Sequence, residues 1–167
     1  MSRDLPPALQ VDGQPRRLKL HRFQWIALPF LFLVPVLALL GVFGETWSRT
    51  DDTSAELALR VEYATRYRYK QINTVETFVQ NVSSRSLDTV VVAFDPEYVR
   101  RFSTLVFIPS PVEPFEIELL DVKPGEIRHV WAELQGERYG RHRGTVEAYR
   151  RGSQDTARVF LSTTIYP

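Results

Sequence analysis

The sequence predicts an all-β antiparallel sandwich of immunoglobulin-like plan, held outside the cytoplasm behind a single N-terminal transmembrane α-helix. Three observations predict it. Residues 25–44 carry no charged or strongly polar side chain. From Leu57 onward the apolar period becomes two, the spacing of a strand with one buried face. Clusters of Gly, Pro, Ser and Asn then divide the chain into about eight short strands over about 110 residues, the density of an all-β sandwich.

The N-terminal segment, "MSRDLPPALQVDGQPRRLKLHR", holds five Lys or Arg against two acids. It is polar, contains prolines and is too short to fold alone, so residues 1–22 are expected to form a disordered basic tail. The apolar helix follows over 23–44. Its stretch from Trp25 to Gly44 covers about 30 Å at about 1.5 Å per residue, the thickness of a bilayer core. A helix in a soluble core would keep a polar stripe, and none is present. The run exceeds the apolar region of a signal peptide, and "VFG" is a poor cleavage site, so a retained anchor is predicted.

Flanking charge orients it. Arg16, Arg17, Lys19 and Arg22 precede the helix, whereas Glu45, Asp51 and Asp52 follow it with only Arg49 as a near cation. Positive charge stays in the cytoplasm, which places 45–167 on the periplasmic side of a bacterial inner (plasma) membrane. Trp25 and Trp47 occupy the two ends, as interfacial aromatics do. Pro29 and Pro35 lie inside the span and each disturbs a bond to the carbonyl four residues earlier. They read as a tolerated kink, or as a packing face for another membrane protein.

Residues 45–56, containing "SRTDDTSAE", read as a polar, acidic linker, and 57–167 as the sandwich domain. "ELALRVEY" alternates, with Leu57, Leu59, Val61 and Tyr63 on one face. "TVETFVQNV" (74–82) and "LDTVVVAF" (87–94) continue as strands across the turn-rich "SSRS". The second is apolar on both faces, as a central strand is. "FDPEYVRRF" breaks the pattern: Asp95 can cap a helical turn and Pro96 suits its first position. "STLVFI" (103–108) and "FEIELL" (115–120) are strands separated by the proline-rich "PSPVEP", which marks an edge or crossover. "KPGE" (123–126) has the residues of a type II turn. "IRHVWAEL" (127–134), "GTVEAYR" (144–150) and "TARVFLSTTI" (156–165) complete the set, with "RRGSQD" as a hairpin loop. Trp131 is a candidate core aromatic.

The run from "VETFVQNVSSRSLDTVVVAFDP" to "DVKPGEIRHVWAELQGERYGRHRGTVEAY" resembles bacterial immunoglobulin-like domains of the CARDB type and the C-terminal domain of FixG-type membrane proteins. The shared pattern is a strand ending in Asn81, the Pro124-Gly125-Glu126 turn, and a Tyr139-containing turn leading to Val146. The resemblance covers roughly 74–149 and implies a fold, with no redox role, since the iron–sulfur cysteines of FixG-type proteins have no counterpart here. Membrane-anchored copper-delivery factors for cytochrome oxidase are similar in plan, but they hold copper through cysteines.

The chain has no cysteine, which excludes disulfides, thiolate metal sites, a Cys nucleophile and a lipoprotein anchor. The net charge of +1 is too small for a nucleic-acid binder. Arginine outnumbers lysine eighteen to three, the signature of a GC-rich bacterial genome. No nucleophile elbow, phosphate loop or zinc helix motif occurs, and His21, His129 and His142 are not at metal-ligand spacing. No catalytic, cofactor-binding or metal residue is therefore assigned. Glu116 and Glu118 share a strand face that reads as solvated, with calcium held together with Asp95 and Glu97 as the alternative.

Two basic, aromatic-interleaved stretches stand out. "TRYRYK" (65–70) reads as a strand with its tyrosines packed and its cations solvated, or as an edge for a protein partner. "GERYGRHRG" (136–144) reads as the turn between two strands, with Gly136, Gly140 and Gly144 supplying positive φ and Tyr139 packing beneath. Its tip, Arg138, Tyr139, Arg141, His142 and Arg143, is the candidate interaction loop.

The function expected is non-catalytic: a single-pass accessory subunit whose outer domain binds or stabilises another membrane or envelope protein, without cofactor or nucleic acid. The alternative is an envelope adhesion or ligand-binding domain that recognises a glycan, lipid headgroup or metal through its loops.

Overall fold

The computed structural model describes residues 22–41 and 44–167. Arg16, Arg17 and Lys19 lie outside the described residues, as do the side chains of Arg22 and Trp25. The chain divides into two compact units, residues 1–42 and 43–167.

In the first unit, helix α1 spans Arg22–Leu39 and continues through Pro29 and Pro35. Its described side chains are apolar and, apart from the half-buried Leu37, exposed, among them Leu28, Phe30, Leu31, Phe32 and Val34. Among the described residues no helix is long and apolar enough to cross a membrane.

The second unit contains β1 (Thr46–Thr53), β2 (Leu57–Arg68), β3 (Ile72–Asn81), β4 (Leu87–Phe94), α2 (Pro96–Val99), β5 (Phe102–Ile108), β6 (Glu116–Val122), β7 (Ile127–Gly136), β8 (Gly140–Arg150) and β9 (Thr156–Tyr166). They form one sheet in the order β5-β7-β3-β2-β9-β8-β4-β6, with β1 added on β2. The sheet folds over on itself at β2. That strand runs antiparallel to β3 over its first half and parallel to β9 at Arg66–Arg68. Inward side chains of both halves then share one core: Val75, Val79, Val130 and Leu134 from one layer meet Val92, Val146, Val159 and Leu161 from the other. Each is fully or almost fully buried, worth about 1.5–3 kcal/mol per side chain relative to exposure. The result is an all-β sandwich.

Several elements follow the sequence reading closely. β4 covers 87–94 and Val91, on the face away from that core, is also buried, as its place between β6 and β8 requires. Asp95 caps α2, its carboxylate accepting from the Glu97 N–H at 2.8 Å. In the 123–126 turn Gly125 has φ +75 and the Glu126 N–H donates to the Lys123 carbonyl at 3.0 Å, the geometry of a type II turn.

Three readings are corrected. The stretch taken as a linker over 45–56 is mostly strand: β1 pairs antiparallel with β2 from Thr46↔Arg66 to Thr53↔Ala58. It escaped notice because it lacks alternation. Nearly all of β1 is exposed on both faces, so backbone pairing and charge contacts hold it, such as Arg60 Nε donating to Asp51 Oδ1 at 2.7 Å. Trp131 is not a core aromatic; it points outward from β7, next to His129. The 136–144 segment is not one long turn either, since β8 begins at Gly140 and pairs with β9 from Gly140↔Ile165.

That last change reassigns two of three glycines. Only Gly140 has positive φ, +110. Gly144 is a packing glycine: a Cβ there would stand 2.3 Å from Tyr98 Cβ and 2.5 Å from its Cγ. Tyr98, rather than Tyr139, is the buried tyrosine beneath this region. Its hydroxyl lies 2.9 Å from Thr163 Oγ1, which donates to the Ala64 carbonyl at 3.2 Å. Burial pushes the Tyr98 phenol well above the ordinary tyrosine value, so it stays a neutral hydroxyl.

Candidate functional site

Two surfaces of the sandwich carry chemistry. The first gathers both basic stretches at one end. The β2–β3 turn, the β7–β8 turn and the end of β9 meet there, with the start of β1. The Lys70 N–H donates to the Gly136 carbonyl at 2.8 Å, and the Tyr69 N–H donates to the Tyr166 carbonyl at 2.9 Å. Gln135 Nε2 donates to the Lys70 carbonyl at 2.8 Å. The Tyr69 and Tyr139 rings lie 4.8 Å apart, and Lys70 Nζ sits 5.6 Å from the Tyr69 centroid. Lys70 holds φ 60, a left-handed conformation that costs a non-glycine residue about 1–2 kcal/mol.

The strand register extends this cluster across the outer face. Arg141 pairs with Thr164, and Thr164 pairs with Arg66, in one row across β8, β9 and β2. Arg143 pairs with Ser162 in the next row, and Arg141 Nε donates to Ser162 Oγ at 2.8 Å. Arg66, Arg68, Lys70, Arg138, Arg141 and Arg143 are all exposed, as is Tyr139. Among the described residues none of these six cations lies within 4.0 Å of a carboxylate, whereas Arg49, Arg60, Arg85, Arg128, Arg150, Arg151 and Arg158 all do.

Of the candidate interaction loop, then, Arg138 and Tyr139 lie in the turn and Arg141 and Arg143 on the outer face of β8. His142 departs from the group. It alternates inward and is 4 % exposed. Its Nε2–H donates to the Arg138 carbonyl at 2.7 Å, its ring meets Phe102 edge-on, and its buried Nδ1 has no partner among the described residues. It pins the turn rather than contacting solvent. Tyr67 also faces inward, its hydroxyl pushed far above the ordinary value by burial.

The second surface was not singled out by the sequence. On the outer face of β5-β7-β3, Ile108 pairs with Trp131, Trp131 with Glu76, and Phe78 with His129. The Phe78 and His129 rings stack at 4.3 Å and 3°, with Trp131 4.8 Å further on. His129 Nε2 stands 3.5 Å from Glu76 Oε2. Val106, Ile108 and Ile127 flank the aromatics at 42 %, 42 % and 58 % exposure. The signal was the outward set of β7, Ile127-His129-Trp131, apolar where a solvated face would be charged. Leu120 and Phe160, exposed on the other layer, pair instead with Thr89 and Thr145.

The acidic residues weighed for calcium do not converge. Asp95, Glu116 and Glu147 line one groove of about 240 Å³, yet among the described residues no three His, Asp or Glu come together to hold a metal. Glu118 instead pairs with Arg151.

No family model matches the sequence, and no curated protein matches it. Solved structures do show similarity. A CARDB domain from Pyrococcus furiosus, solved in complex with di-metal ions, aligns with 71 % of this chain and 95 % of its own at 8 % identity and TM-score 0.48. The cupredoxin domain of amoB from Nitrosocaldus yellowstonii aligns with 72 % and 87 % at 9 % identity and TM-score 0.43. A β-glucosidase from Listeria innocua matches over only 16 % of its own chain, at 10 % identity and TM-score 0.37.

Proposed function

We propose that this protein is a non-catalytic, single-pass membrane protein whose extracytoplasmic sandwich binds or stabilises another membrane or envelope protein. The observation that carries the reading is the contiguous apolar strip of Ile108, Trp131, Phe78, His129 and Ile127 beside β5, which among the described residues is an edge strand paired only with β7. Scattered exposed apolar residues are ordinary; a contiguous patch on a folded face marks an interaction site. Aromatic side chains at the centre of such a patch supply most of the binding energy of a protein interface, and a free edge can add a partner strand.

The anchor is the 23–44 apolar run, whose basic flank and acidic follow-on put the N-terminus in the cytoplasm. Tethering both partners in one membrane raises their effective concentration, so a modest patch suffices. The test is affinity purification of the full chain in mild detergent, compared with a Trp131→Glu, Ile108→Glu variant. A stoichiometric membrane protein recovered with the parent and lost with the variant supports the reading. Equal recovery by both assigns the contact elsewhere and refutes the role given to the strip.

A further inference from the structure

We propose that the basic end of the sandwich docks on anionic phospholipid headgroups, using Arg66, Arg68, Lys70, Arg138, Arg141 and Arg143 with Tyr69 and Tyr139 among them. The proposal rests on the membrane anchor of the reading above and adds a second contact with the same bilayer.

Three observations carry it. The first is charge. Stretches 65–70 and 136–144 are separated by about seventy residues, yet the β2–β3 and β7–β8 turns hold them together. They bring six cations to one carboxylate, Glu137. None of the six is ion-paired among the described residues, while the opposite end is neutralised: Glu56 there binds Arg150 at 2.8 Å and also Arg85. A solvated surface with evenly mixed charge would not segregate this way. Juxtamembrane cations are attracted to anionic leaflets, within a range set by the Debye length.

The second is the aromatic component. Tyr69 and Tyr139 are exposed at 37 % and 57 % and lie ring against ring. Tyrosine has an apolar body and a polar tip, which suits the headgroup level of a bilayer. Trp47, 49 % exposed, belongs to the same end through the pairing of Thr46 with Arg66.

The third is chain order. Only residues 40–45 separate the end of α1 from Thr46, a reach of at most roughly 20 Å. The chain therefore enters the sandwich at its basic end, where Thr46 pairs with Arg66. Docking there would fix the tilt of the domain and so the direction in which the apolar strip faces.

The absence of cysteine permits single-site labelling. The full chain with Pro167→Cys, beside the basic end, or with Gln154→Cys, in the opposite turn, is dye-labelled and reconstituted into vesicles. These are of neutral phosphatidylcholine, or of phosphatidylcholine with phosphatidylglycerol, each with a trace of headgroup-spin-labelled lipid as quencher. The expected result is quenching at 167 several-fold greater in anionic than in neutral vesicles at low salt, reduced at least by half at high salt. It should fall likewise in the Arg66→Gln, Arg68→Gln, Arg138→Gln variant, with the label at 154 indifferent throughout. Equal quenching at 167 in both vesicles overturns the proposal. So does a label shielded in native membranes but insensitive to lipid charge in vesicles, which would assign this end to an acidic protein. The anchor is read separately: a chain that fails to float with neutral vesicles refutes the anchor, while charge-dependent quenching at 167 would still uphold the docking.

Discussion

Gly144→Ala adds one methyl group where the interior has no room for it. The new Cβ would lie 2.3 Å from Tyr98 Cβ and 2.5 Å from Cγ, against about 3.5–4.0 Å for carbon atoms in contact. The obstructing atoms are the root of the side chain, so no rotation of the ring relieves the clash. Tyr98 cannot retreat easily: it sits in α2, capped by Asp95, and its hydroxyl is tied to Thr163. Overpacking of this kind costs about 1–3 kcal/mol, occasionally more, and a displacement of over an ångström belongs at the upper end. For a domain of this size that is a fall in Tm of roughly 10–15 °C. The assay is thermal unfolding of the full chain followed by circular dichroism. Gly152→Ala is the control: its φ is +80 but nothing stands within 4 Å, so only backbone strain of about 1 kcal/mol is added. In a Tyr98→Gly background, which removes both obstructing atoms, the same methyl should cost little, a non-additivity expected of atoms in contact. The reasoning is refuted if Gly144→Ala melts no lower than Gly152→Ala, or if its cost is unchanged when Tyr98 is glycine.

Two further outcomes are expected. Asn81 is fully buried, its Nδ2 donating to the carbonyls of Arg85 and Val122 at 2.7 and 2.8 Å while its Oδ1 accepts from the Ser83 N–H at 2.9 Å. Asn81→Ala strands these groups and should cost about 2–3 kcal/mol, read as a lower urea midpoint with unchanged slope. Glu56 is held below its ordinary value of 4.5 by its bonds to Arg150 and then Arg85. A lowered folded value means that its contribution is present above pH 4.5 and lost as pH falls through the folded value. The urea midpoint should therefore drop between pH 5 and the acid limit, and Glu56→Gln should lower it at pH 7 and flatten that part of the profile.

What could be read from the sequence was what local chemistry dictates. β4 declared itself by its run of β-branched residues, α2 by Asp95-Pro96, and the 123–126 turn by Pro124-Gly125. What escaped depends on partners distant in the chain. β1 is a strand only because β2 offers its edge, so its own polar pattern carries no period. Gly144 and Tyr98 are far apart in sequence, and nothing local announces that one makes space for the other. His142 sits between two exposed arginines, and the alternation Arg141-His142-Arg143 was a strand signal hidden by the glycines around it. The basic end became a site only when folding set Tyr69 beside Tyr139. The apolar strip needed the register of β5, β7 and β3, since no single strand contains more than part of it.

The measurement that bears most directly on the partner-binding role is site-specific photocross-linking in native membranes. A photoreactive residue is placed at Ile108, at Trp131, and at Phe160, an exposed apolar control on the other layer. The account predicts that positions 108 and 131 each give one adduct with the same membrane protein and that position 160 gives none. No adduct from 108 and 131, or the same adducts from all three positions, would contradict it.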